Sequence, residues 1–74
     1  MSSLDGFTPI SSAHMDGTKY DHSERAMTIR YKNGSQYKVH GVSLDHYQEF
    51  MDAPSQGEHY HKHIKDNFHI ERVK

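Results

Sequence analysis

The clearest periodicity in the chain lies between residues 27 and 40. Met27, Ile29 and Tyr31 alternate with Thr28, Arg30 and Lys32, and beyond Asn33-Gly34 the alternation resumes, with Tyr37 and Val39 set against Gln36, Lys38 and His40. A period of two belongs to a strand with one buried face, and Asn-Gly between two such runs marks a hairpin. The pattern also selects the loop. A two-residue loop at Asn33-Gly34 would oppose Ile29 to Lys38 and put the apolar residues of the two strands on opposite faces. A three-residue loop, Lys32-Asn33-Gly34, with Gly34 in the left-handed position of a type I turn plus bulge, pairs Tyr31 with Ser35, Ile29 with Tyr37 and Met27 with Val39. One face is then apolar, and the other carries Thr28, Arg30, Gln36, Lys38 and His40.

Outside the hairpin the signals are local. Residues 1–9, with Ser2, Ser3, Asp5 and Gly6, read as a flexible tail ahead of a single domain over 10–74. Ile10, Ala13, Met15 and Tyr20 fit a first strand interrupted or bulged near Asp16-Gly17, and Asp21 to Glu24 a polar turn. Ser43 is a good N-cap, Asp45 lies in the first turn where negative charge is favoured, and Val42 is placed to staple against Tyr47. The helix that follows has Leu44, Tyr47 and Met51 as its apolar stripe, Phe50 beside it, and Asp52-Ala53-Pro54 as its stop. Ser55-Gln56-Gly57-Glu58 has the capping-box pattern, and Tyr60, Ile64 and Phe68 recur at helical spacing before fraying near Asn67. His69 to Lys74 fits a short strand or an extended packed segment. The expected fold is α+β: a small antiparallel sheet of two or three strands covered on one face by two short helices.

Composition narrows the class. Seventy-four residues make one domain, and with no cysteine there is no disulfide scaffold, thiolate chemistry or Cys-based zinc site. No apolar run approaches the roughly 20 residues of a membrane span. No membrane partner is therefore expected, and the expected location is the cytoplasm. The net charge of −1 hides alternation: −3 over residues 1–24, +4 over 25–40, −4 over 41–58 and +2 over 59–74. Neighbouring segments of opposite sign can neutralise one another on packing; otherwise the basic one offers a face to a partner.

Candidate chemistry is sparse. The eight histidines include His59, His61 and His63, of which a helix puts only His59 and His63 on one face. Two ligands are too few for a structural zinc site, so neither metal nor cofactor is expected. There is no G-x-S-x-G, no H-E-x-x-H and no glycine-rich phosphate loop, and an enzyme is not expected. The best binding candidate is the polar hairpin face, where Arg30, Lys32, Lys38 and His40 could hold phosphates. Tyr31 and Tyr37 lie on the opposite face, packing on the helices with their hydroxyls at the rim, so the basic face has no stacking platform.

Several residues in order also carry a family resemblance. Ile29-Arg30-Tyr31-Lys32-Asn33-Gly34, then Tyr37-Lys38-Val39-His40-Gly41-Val42, Tyr47, Ala53-Pro54-Ser55-Gln56-Gly57, Tyr60, Ile64 and Glu71-Arg72-Val73 resemble the KTSC domain over roughly residues 10–73. That module occurs at the carboxyl end of some lysyl-tRNA synthetases and as small free-standing proteins of bacteria and phages, and the resemblance implies RNA binding. The family's Tyr-x-Tyr is here Tyr37-Lys38-Val39, and face parity puts Val39 in the core. The expected function is a non-enzymatic binding module for RNA or another nucleic acid, using Arg30, Lys32, Lys38 and His40, with Lys62 and Lys65 if the second helix lies alongside. The alternative is a protein-interaction module, including a phage-encoded protein that acts on a host protein in the host cytoplasm.

Overall fold

The hairpin forms in the register that the alternation requires. In the computed structural model, which describes residues 6–74, β3 (Ala26–Tyr31) pairs with β4 (Gln36–His40) so that Met27 opposes Val39 and Ile29 opposes Tyr37. The Tyr31 N–H donates to the Ser35 carbonyl at 2.8 Å, and Gly34 closes the three-residue loop at φ +94°, a value that an L side chain would strain.

Three more strands extend this pair into a five-stranded antiparallel meander. β1 (Thr8–Pro9) pairs with β2 (Met15–Asp21), β2 with β3, and β4 with β5 (His69–Arg72), giving the order β1-β2-β3-β4-β5. The irregularity expected near Asp16-Gly17 is a register shift between Met15 and Gly17. The sheet thus exceeds the two or three strands expected, because both added strands are short edges without apolar alternation. β1 has two residues, and in β5 only Ile70 is even half-buried. The tail boundary shifts as well. Phe7 is buried and Thr8–Pro9 is paired, so the tail reading fails at residues 7–9; residues 1–5 lie outside the described residues.

Two helical segments cover the apolar face. α1 (Leu44–Asp52) is capped by Ser43, whose hydroxyl accepts from the His46 N–H at 3.2 Å. α2 (Gln56–His59) is capped by Ser55, which accepts from the Glu58 N–H at 3.4 Å, and it runs on into a π-helical turn, Tyr60–Ile64. The core joins Met15, Met27, Ile29 and Val39 of the sheet to Val42, Phe50, Tyr60 and Ile64. In α1 it is Phe50 that is fully buried, whereas Leu44 is 42% exposed, so the stripe centres one residue away from the expected line. No helix among the described residues is long and apolar enough to cross a membrane.

Candidate functional site

Strand parity places Arg30, Lys38 and His40 together on the outer face of the sheet, as expected, but each meets an acceptor there. The Arg30 Nε donates to Asp16 Oδ1 at 2.7 Å, and the guanidinium lies 4.3 Å from the Phe7 ring centre. Lys38 is ion-paired with Glu24, whose hydrogen bond holds the ammonium above its ordinary range. His40 Nε2 is 3.0 Å from Glu71 Oε1. Such exposed pairs add little to stability, yet they cancel most of the local field that a phosphate would feel. Asp16, Glu24 and Glu71 come from three other elements, so the hairpin's own sequence could not show them.

The other expected cations lie elsewhere. Lys32 sits in the hairpin turn, while Lys62 and Lys65 belong to the helical layer on the other side of the sheet. Lys62 is 3.3 Å from Glu58, an i,i+4 pair. Lys32 and Lys65 make no ion pair among the described residues.

Lys65 leads to a second place on the molecule. Where the π-helical turn passes the tip of the hairpin, Tyr31, Asn33, Ser35, Tyr37, Tyr60, His61, Lys65 and Ile70 line an open cleft of about 420 Å³. Tyr31 and Tyr37 stand edge to face, with ring centres 5.5 Å apart, and the Arg72 guanidinium is 6.0 Å from the Tyr37 ring. The Lys65 N–H bonds to the Tyr60 carbonyl at 2.8 Å, the i→i+5 closure that defines the π turn and sets Tyr60, His61 and Lys65 around one opening. At the inner end Tyr60 is buried, with Tyr31 beside it in the lining. Burial, with the neighbouring Tyr31, pushes the Tyr60 phenol far above its ordinary value. Among the described residues no carboxylate lines this cleft. Reading Tyr31 and Tyr37 as core with hydroxyls at the rim locates their backbones correctly. The cleft itself depends on the π turn, for which the sequence carries no signal.

A groove between the helical segments gathers the histidines. His46, Glu49, His59, His63 and Phe68 line it, and the His59 and His63 rings are 4.8 Å apart. Among the described residues no three His, Asp or Glu side chains are arranged to hold a metal ion. Burial and the neighbouring His63 lower the His59 pKa from its ordinary 6.5, and Glu49 opposes the shift. The folded state therefore binds fewer protons than the unfolded chain, so this contribution to stability is complete above pH 6.5 and is lost as pH falls through the lowered value. Thermal melts from pH 7.5 to 5 should show falling stability, with a shallower fall in His59→Gln. An equal fall in that variant would assign the effect to other groups.

Comparison with known proteins now bears on these sites. The family model for the KTSC domain matches residues 11–68. The chain belongs to the KTSC domain family. A crystal structure of a KTSC domain protein from Yersinia pestis superposes with a TM-score of 0.83 at 29% identity, covering 92% of this chain and 96% of that one. Lysine–tRNA ligases of Trichormus variabilis and of a Nostoc species are each 33% identical over 55 residues, covering 74% of this chain and 10% of theirs. The chain thus spans about a tenth of the length of these curated relatives.

In this KTSC domain the residues that carry the resemblance are largely structural. Ser55 caps α2, and a Cβ on Gly57 would lie 2.9 Å from Ser12 Oγ, an atom already accepting from the His14 and Met15 N–H groups. Val39, in place of the family's second tyrosine, is fully buried. That position packs in the core and has no ring to offer a base.

Proposed function

We propose that this KTSC domain is a non-enzymatic module that binds single-stranded RNA, and that it does so with the tyrosine cleft rather than the outer face of the hairpin. The carrying observation is the make-up of the cleft. Half-buried Tyr31 and Tyr37 share it with Lys65 and His61, and among the described residues no carboxylate lines it to compete with a phosphate. Base stacking on aromatic rings beside a cation is how proteins hold unpaired strands, each stacked base contributing about 1–3 kcal/mol. A cleft of about 420 Å³ suits one splayed base and not a duplex. The similarity to a short segment of two enzymes named for a tRNA supports the same reading.

The test is a titration with mixed-sequence single-stranded RNA at about 50 and 200 mM salt. Tyr37→Ala should weaken binding roughly tenfold at both salt concentrations. Lys65→Glu should weaken it across sequences and reduce the salt slope by about 1–2. Arg30→Glu and Lys38→Glu should each do less, because their fields are already cancelled. Larger losses on the outer face would return the interface to Arg30, Lys38 and His40. Failure of any RNA to bind would favour a protein partner, for which the unpaired edge of β5 offers a place to add a strand.

A further inference from the structure

The outer edge of β5 is open, and strand parity says which backbone groups it presents. The Val73 N–H bonds to the Gln36 carbonyl of β4 at 2.9 Å, so along the antiparallel ladder Glu71 and His69 also turn their N–H and C=O groups to β4, opposite Lys38 and His40. Ile70 and Arg72 therefore turn theirs outwards. β5 is last in the sheet order, and among the described residues no backbone partner meets these outward groups. The opposite edge differs. β1 has two residues, and one of them is Pro9, which has no N–H to give. A head-to-tail stack of β1 on β5 has little to build on, whereas β5 against β5 closes on itself about a twofold axis.

We propose that β5 pairs antiparallel with β5 of a second copy, Ile70 against Ile70, and so joins two five-stranded sheets into one. The register follows from charge. Centred on Ile70, the pairing sets His69 of each copy opposite Glu71 of the other on the outer face, and it brings together the two Ile70 side chains, each only half-buried in its own copy. Within one copy Glu71 meets His40 through Oε1, so Oε2 remains for His69 of the other. Centred on Glu71 or on Arg72, the pairing would oppose like charges directly. Centred on His69, it would slide most of the strand onto residues 66–68, ahead of β5. The axis stands perpendicular to the sheet, so both helical layers lie on one side and the two tyrosine clefts, each lined in part by Ile70, flank the junction. The pairing needs no RNA and stands or falls apart from that reading.

Sedimentation of the full chain without RNA, from about 10 µM to about 1 mM, tests it. A four-residue strand spans only about 13 Å and buries less than a tight dimer needs, so a monomer–dimer equilibrium with Kd on the order of 100 µM is expected. Arg72→Pro removes an outward N–H and should leave the chain monomeric while melting within a few degrees of wild type. Glu71→Pro removes an inward one and should melt far lower. His69→Lys should tighten the dimer about threefold, and His69→Glu should weaken it roughly tenfold. In amide exchange the Ile70 and Arg72 N–H groups should gain protection with concentration, whereas those of Glu71 and Val73 should be protected throughout. A chain still monomeric at about 1 mM, a dimer that survives Arg72→Pro, or a His69→Lys variant that associates no more tightly than His69→Glu would overturn the proposal. Arg72→Pro melting as low as Glu71→Pro would overturn the assignment of the edge, and the proposal with it.

Discussion

Phe50→Ala should cost the domain about 3–5 kcal/mol, while Leu44→Ala on the same helix should cost under about 1 kcal/mol. Phe50 is fully buried in the core, with ring centres 6.5 Å from Tyr60 and 6.1 Å from His59. Truncating it removes a large apolar surface and leaves a cavity that three surrounding elements cannot easily close. Leu44 starts the helix and is 42% exposed, so it has little burial to lose. A 74-residue domain has a total stability of roughly 4–11 kcal/mol. The Phe50 variant should accordingly lose some 15–30 °C in Tm, or fail to fold at 37 °C. Urea titration of both variants checks this. A larger loss at Leu44 would put the stripe back on Leu44, Tyr47 and Met51.

That contrast marks where the sequence was legible. In a hairpin, side-chain parity and loop length over-determine the register, so the Met27–Val39 and Ile29–Tyr37 pairs could be read before any coordinates. A nine-residue helix with four apolar candidates leaves its orientation open to a rotation of one position. Tertiary packing chose Phe50. β1 and Phe7 were illegible because a two-residue strand has no period, and Phe7 lies against the cations of Arg30 and Lys19, which its own sequence neighbours do not signal. The cation face was legible in direction but not in charge. Which way Arg30, Lys38 and His40 point follows from local alternation, whereas Asp16, Glu24 and Glu71 reach them only through the sheet. The tyrosine cleft lies further still from the pattern, since it needs the hairpin tip, β5 and an irregular helical turn in one place.

Gln56→Leu should cost about 2–4 kcal/mol, although Gln56 touches neither the cleft nor the outer face. The residue is 9% exposed and works at both ends: Oε1 accepts from the Ser11 N–H at 2.6 Å, and Nε2 donates to the Met51 carbonyl at 3.0 Å. It ties the segment before β2 to the Met51 carbonyl in the last turn of α1, where carbonyls have no intrahelical N–H to meet; the Ala53 N–H serves the Phe50 carbonyl in the same way at 3.3 Å. Leucine has similar volume but strands both backbone groups, each at about 1–3 kcal/mol when removed from water. Gln56→Glu separates bonding from packing. The carboxylate still accepts from Ser11 but faces the Met51 carbonyl with a negative charge, so its folded pKa must rise above the ordinary carboxylate value of about 4.3. The sign of the pH dependence follows. A group with a raised folded pKa binds more protons folded than unfolded, so Gln56→Glu should regain stability relative to wild type as pH falls through that raised value, when the protonated acid can again donate to Met51. Parallel melts at pH 7 and pH 5 test it. A deficit that does not change with pH would mean that the Met51 bond is dispensable and that the motif glutamine acts through packing. RNA affinity per folded molecule should be the same in both variants, which separates the structural share of the family motif from the cleft.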